Sequence, residues 1–305
     1  MTEITPLNVS PENQPEDKPK GDRVAKLMAR AGLCSRRDAE RWIAELRVEV
    51  DGVIIDTPAT IVDDPTRIKV DGQPLPASVE PKLWLYHKPA GLVTTHKDED
   101  ERPTVFEHLP EALGRVISVG RLDMNSEGLL LLTNDGGLAR ELELPQNGWL
   151  RTYRVRVFGF VTQDILDTIK KGCTVEGIHY GPVDAHIEKK TGRNAWLIIS
   201  LSEGKNREIR QLMRHLDLHV NRLIRHSFGP FRLGDLKREE VMEVPRQQLI
   251  KQLGGKFERA AEDSGIIVNK SQKGWAKAKD KPNAKPKTPR KSRRPKPAPK
   301  PRKKR

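Results

Sequence analysis

Apolar positions change period along the chain, and those changes divide it. Val24, Leu27, Met28 and Ala31 recur at i, i+3, i+4 and i+7, one face of a helix. Gly32 is placed to end it. Ala39, Trp42, Ile43 and Leu46 repeat the spacing behind Ser35 and Asp38, a capping box with Asp where Glu or Gln is usual. The pattern then alternates. Residues 47–50 and 53–55 read as strands about the turn Asp51-Gly52, a strong hairpin signal, and Asp71-Gly72 marks another turn. Residues 22–80 therefore predict a small domain of helices and a hairpin. Beyond it the pattern favours short strands, at 83–86, 116–119, 129–133, 153–158 and 195–201. Helical spacing returns at 164–169 and 207–216. Residues 81–254 predict an α+β domain, with too few alternating helices for a doubly wound sheet.

The two ends lack any such period. Residues 1–21 are polar and rich in Pro and Glu, and 255–305 are rich in Lys, Arg and Pro. Neither composition builds a core, and both are expected to be disordered. Charge sets the tail apart. The 305-residue chain carries a formal net +14, but 269–305 holds 17 Lys or Arg and one acid, which leaves 1–268 at a net −2. Extended at about 3.1 Å per residue, such a tail reaches on the order of 100 Å, and it serves either to touch a polyanion far from the fold or as plain solvated chain. The longest aliphatic run, 129–132, is far too short to span a bilayer, and the first twenty residues hold no apolar leader. Cys34 and Cys173 make neither a disulfide framework nor a zinc knuckle. The expectation is a cytoplasmic, metal-free protein without membrane contact, and a monomer, because no heptad or long apolar edge is present.

Basic residues gather where the small domain forms its helices. Arg23, Lys26 and Arg30 lie off the apolar stripe, and Arg36 and Arg37 open the second helix, where free N–H groups suit phosphate. On charge alone this is either a solvated face or a polyanion contact. The whole segment RVAKLMARAGLCSRRDAERWIAELRVEVDG, residues 23–52, resembles the S4 RNA-binding module. That resemblance assigns these five residues to RNA shape and backbone.

GRLDMNSEGLLLLTNDG, residues 120–136, reads as a turn feeding a buried strand, but that does not explain Arg121 and Asp123 flanking a leucine at the mouth of a loop. The segment is similar to the signature of the pseudouridine synthases, in the branch of ribosomal RNA enzymes that carry an S4 domain (RsuA/RluB type). The resemblance implies a mixed, mainly antiparallel sheet and makes Asp123 the catalytic aspartate. A carboxylate suits the reaction, in which the uridine C1′–N1 bond breaks, the base turns and C5 joins C1′; it acts as nucleophile or steadies cationic character at the sugar. RTYRVRV, residues 151–157, resembles the motif that carries an active-site tyrosine, so Tyr153 is expected against the flipped base; an ordinary strand tyrosine is the plainer alternative. EGKNREIRQLMRHL, residues 203–216, resembles the motif whose basic residue pairs with the catalytic carboxylate, here Arg210. Lys205 and Arg207 are expected to meet phosphate, and Arg121 to contact the RNA.

LWLYHKPAGLVTTHKDEDERPTVFEHLP, residues 83–110, resembles the same branch, with His87 where relatives carry Asn, read as packing or RNA contact. The resemblance runs from 23 to about 250. It implies ribosomal RNA or a pre-ribosomal particle as partner, 23S RNA ahead of 16S, base flipping, and no cofactor, since bonds are exchanged within one nucleoside. A non-catalytic ribosome-assembly factor on the same fold is the rival from another class.

Overall fold

The computed structural model describes residues 21–77, 79–255 and 257–258. The N-terminal and C-terminal segments expected to be disordered otherwise lie outside the described residues.

In the small domain the helix Val24–Arg30 buries Val24, Leu27 and Met28, as its spacing requires, and Gly32 follows its end at φ +76°. The helix Arg36–Ala44 begins with a true capping box. Asp38 N–H donates to Ser35 Oγ at 3.0 Å, and Ser35 N–H donates to Asp38 Oδ2 at 3.3 Å. The shorter Asp side chain closes the box that Glu or Gln usually closes. Leu46 departs from the expected stripe. The helix stops at Ala44, Arg47 N–H turns back to the Trp42 carbonyl, and Leu46 takes a left-handed φ of +59° with its side chain exposed. That return bond is the usual helix stop, made here without glycine. The strands Val48–Val50 and Val53–Ile54 pair about Asp51-Gly52, where both residues have the positive φ that a two-residue hairpin turn demands. The strand Ile68–Val70 joins them, and Ile43, Val48 and Ile68 close the core beneath the helices.

The larger domain is built on one sheet. Its strand order is Val183–Thr191, Asn194–Leu201, Arg151–Phe158, His219–Phe228, Glu127–Thr133, Leu83–Lys88 and Val241–Glu243, with two short strands paired beside this path. Every neighbouring pair along it is antiparallel except His219–Phe228 with Glu127–Thr133. This is the α+β domain that the pattern predicts, with the mixed, mainly antiparallel sheet that the family resemblance implies. The four-leucine run shows why its centre is apolar on both sides. Leu129 and Leu131 enter one core with the helices Gly136–Glu143 and Arg246–Leu253, while Leu130 and Leu132 enter the other with Tyr153, Val155 and the helix Glu208–His215. Alternation on a strand covered on both faces leaves no polar position.

Among the elements of this domain that the sequence pattern missed, three show why. The helix Gly136–Glu143 starts on two glycines, and Asp135 overrides them by accepting from Leu138 N–H at 2.7 Å. Strand Val183–Thr191 is an edge strand whose solvent face hides its period in charge. Strand His219–Phe228 is central yet reads as polar. Packing also runs past the Gly254-Gly255 pair, because Phe257 is buried against Leu249 and Leu253.

Candidate active site

The centre of the sheet and the start of Glu208–His215 enclose a cavity of about 270 Å³. Asp123 and Tyr153 both line it, together with Arg121, Lys205 and Arg207. They come from three parts of the chain. Asp123 sits in the loop before Glu127–Thr133, Tyr153 in the strand Arg151–Phe158, and Lys205 and Arg207 in the loop that leads to Glu208–His215. Arg210 does not line this cavity. It lines a neighbouring open groove with Arg207 and Arg214.

The loop that bears Asp123 is held from below by Lys88. This lysine is fully buried at the end of Leu83–Lys88. Its Nζ donates to the carbonyls of Pro89, Asp123, Met124 and Ser126 at 2.9, 3.2, 3.4 and 3.0 Å. Burial pushes its ammonium down to about 8, opposed by the charges of Asp123 and Glu127. Thr94 Oγ1 donates to the Leu122 carbonyl at 2.8 Å, and Gly91 N–H donates to the Met124 carbonyl at 2.8 Å. Glu127, directly after the loop, is buried and takes a bidentate bond from Arg222 at 2.8 and 2.9 Å and another from Arg238 at 2.9 Å. The Arg222 bond holds its carboxyl below the usual range. At Gly128, φ is +100° and a Cβ would lie 2.3 Å from the Arg225 carbonyl oxygen, so the parallel strand approach admits glycine alone.

Two arginines face the Asp123 carboxylate. Arg207 Nη1 is 3.5 Å from Oδ2, and Arg210 Nε is 4.0 Å from the same oxygen. Arg207 caps the helix in the left-handed region at φ +49°. Arg210 is largely buried, which pulls its guanidinium below its ordinary value, and its Nη2 donates to the Asn125 carbonyl at 2.9 Å. It thus grips the same loop from above. The sequence ranked only Arg210 as the partner; the structure brings in Arg207, which it had set aside for phosphate. Lys205 Nζ is engaged by Glu203 at 2.6 Å, and Arg121 is exposed at the cavity rim.

The small-domain residues divide. Arg23, Arg36 and Arg37 are exposed. Lys26 pairs with Asp22 at 2.5 Å. Arg30 is turned inward, bonded to Asp22 at 3.1 Å and 3.8 Å from Asp135 of the larger domain. His87 Nδ1 lies 2.7 Å from the Leu236 carbonyl, a packing role. Sequence reasoning missed Lys88 and Arg225. Among the described residues no group of three His, Cys, Asp or Glu side chains is placed to hold a metal ion, and no helix is long and apolar enough to cross a membrane.

Known proteins align with both parts. The family model described as RNA pseudouridylate synthase matches residues 82–215, and that of the S4 domain matches 22–68. The chain is 48% identical over 225 residues to a Rickettsia bellii protein named "Uncharacterized RNA pseudouridine synthase", covering 74% of this chain and 97% of that one. It is 42% identical over 216 residues to ribosomal large subunit pseudouridine synthase B of Pasteurella multocida, covering 69% and 63%. A solved pseudouridylate synthase superposes with a TM-score of 0.53 at 25% identity, covering 76% of this chain and 99% of that one.

Proposed function

Because this chain belongs to the RNA pseudouridylate synthase family, we propose that it converts a uridine of ribosomal RNA, of the 23S molecule, to pseudouridine through Asp123. The observation that carries the reading is the meeting of Asp123 and Tyr153 in one cavity, with arginines on the carboxylate. The 23S assignment is supported by the large-subunit relative, 42% identical over 216 residues.

The chemistry follows from the residues. A uracil inside an RNA helix is out of reach of a side chain recessed in a cavity, so the target nucleotide swings out of its stack. The aromatic face of Tyr153 takes the place of the lost neighbours; such stacking is worth about 1–3 kcal/mol per base. The Asp123 carboxylate assists rupture of the C1′–N1 bond, as nucleophile or as counter-charge. Arg207 and Arg210 keep it oriented. The base turns, C5 bonds to C1′ as the Asp123 carboxylate is set free, the proton at C5 is lost and N1 takes one up, so substrate and product are isomers. The exposed cations Arg121 and Arg207 at the rim, and Arg23, Arg36 and Arg37 of the S4 module, meet phosphate.

Asp123→Asn keeps the size of the side chain and removes its charge. The expected outcome is loss of pseudouridine from ribosomal RNA with RNA affinity kept within about twofold. Mapping missing pseudouridine in both ribosomal RNAs of a deletion strain identifies the target. A missing residue in 16S RNA alone overturns the 23S assignment, and an unchanged rate for Asp123→Asn removes that residue from the mechanism.

A further inference from the structure

Arg225 is a buried cation that the machinery above leaves unused. It lies in the strand His219–Phe228, opposite Tyr153 in register on one side and opposite Gly128 on the other. Tyr153 and the neighbouring Leu223 belong to the core on the cavity side of the sheet, and Arg225 lines the cavity. The residue is only 3% exposed. Its Nε donates to the Leu129 carbonyl at 2.7 Å. Its Nη2 is enclosed and has no hydrogen-bond partner.

A neighbouring charge makes the arrangement costlier. The Arg225 and Arg151 guanidinium carbons both lie over the Phe228 ring, 5.4 and 4.6 Å from its centroid. Burial, with a further push from Arg225, lowers the proton affinity of Arg151. Arg151 is satisfied by the carbonyls of Trp149 and Ser202 at 3.0 and 2.7 Å. Arg225 Nη2 has no such acceptor. A buried donor without an acceptor is destabilising, and proteins keep one where a ligand completes it.

Depth decides what that ligand is. Arg121, Lys205 and Arg207 are exposed where they line the cavity, and the proposed function sets the RNA backbone against Arg121 and Arg207. A phosphate cannot leave that backbone to reach a group enclosed beside Tyr153, whereas a flipped base can. We propose that Arg225 is a base-reading residue, whose Nη2–H donates to a ring carbonyl of the uracil that lies against Tyr153. The proposal rests on the catalytic reading of Asp123. It also fits the rotation that the reaction needs. Turning uracil about its N3–C6 axis exchanges N1 with C5 and, with them, O2 with O4. A fixed donor therefore meets a carbonyl oxygen before and after the turn.

The test uses the full chain and unmodified ribosomal RNA transcripts tritiated at uracil C5, with tritium release in single turnover as the readout. Arg225→Met should lower the rate at saturating RNA by about 10- to 100-fold, the range for a hydrogen bond to a charged group. RNA affinity should stay within about twofold. The melting temperature should fall by no more than about 4 °C, because the Nε bond to the Leu129 carbonyl is the one native hydrogen bond removed. Arg225→Ala should regain part of its rate with millimolar methylguanidinium and none with methylammonium. A rate within twofold of wild type in Arg225→Met overturns the proposal. So does a reduced rate that comes with a larger fall in melting temperature and resists rescue, which marks a structural residue. Asp123→Asn run beside these variants separates the two readings: full activity there counts against the catalytic assignment, and full activity in Arg225→Met counts against the base contact alone.

Discussion

Distance and burial rank the two arginines on Asp123 in opposite orders. Arg207 is nearer, but half of its side chain is exposed, while Arg210 is 0.5 Å farther and only 16% exposed. Solvent screens the first contact, and exposed pairs are worth about 0.2–1 kcal/mol. The second is screened less and is backed by the bond to the Asn125 carbonyl. Arg207→Ala should therefore lower the single-turnover rate by no more than about fivefold. Arg210→Met removes its ion pair together with the hydrogen bond to the Asn125 carbonyl, and should lower the rate by about 10- to 100-fold. Equal losses in the two variants would refute the ranking. The residues that the sequence singles out, Asp123, Tyr153 and Arg210, stand inside runs of motif whose members resemble a family together. Arg225 stands in HVNRLIRHSF, where the arginines and histidines look like one solvent face. Its burial is a property of the strands on either side, and no local pattern encodes it.

A loop keeps its shape through what its backbone carbonyls meet, and the Asp123 loop meets Lys88. Four carbonyls converge on one ammonium with no carboxylate bonded to it. Burial sets its folded value near 8, below the 10.5 of a free lysine. Below about 8 the group is charged in both folded and unfolded chains, and its burial penalty is full. As pH rises from about 8 towards 10.5 the folded form gives up its proton first, and this group's contribution to folding stability rises. Activity should move the other way, because a neutral amine has two donors left for four carbonyls. The single-turnover rate should show a falling limb near pH 8. Lys88→Met, slower throughout, should lack that limb; a profile of unchanged shape in the variant would show that another group titrates there. Elements were legible where pattern and turn chemistry agreed, as in the Asp51-Gly52 hairpin and the leucine strand. They were hidden where one cap outweighed propensity, as Asp135 does ahead of Gly136 and Gly137.

On the proposed function, the whole chain separates grip from chemistry by charge. Residues 1–268 carry a net −2, so on the proposed function RNA is met there through local arrangements: the exposed Arg23, Arg36 and Arg37 of the S4 module and Arg121 and Arg207 at the cavity. Arg30, expected among them, is 3.8 Å from Asp135, which also caps the helix after the leucine strand, so it ties the S4 module to the larger domain. The long-range term is expected from 269–305, with 17 basic residues against one acid. Each phosphate it neutralises on single-stranded RNA should steepen the log–log salt dependence of binding by about 0.7. Removing 269–305 should flatten that slope by about 0.7 for every phosphate no longer neutralised and slow association at low salt. At saturating RNA the single-turnover rate should not change, because every group assigned to the chemistry lies before residue 226. Binding measured across a salt series, paired with tritium release by the truncated chain, checks both halves. An unchanged slope would assign the salt dependence to the S4 module and rim, and a collapsed rate would place part of the tail at the reacting nucleotide.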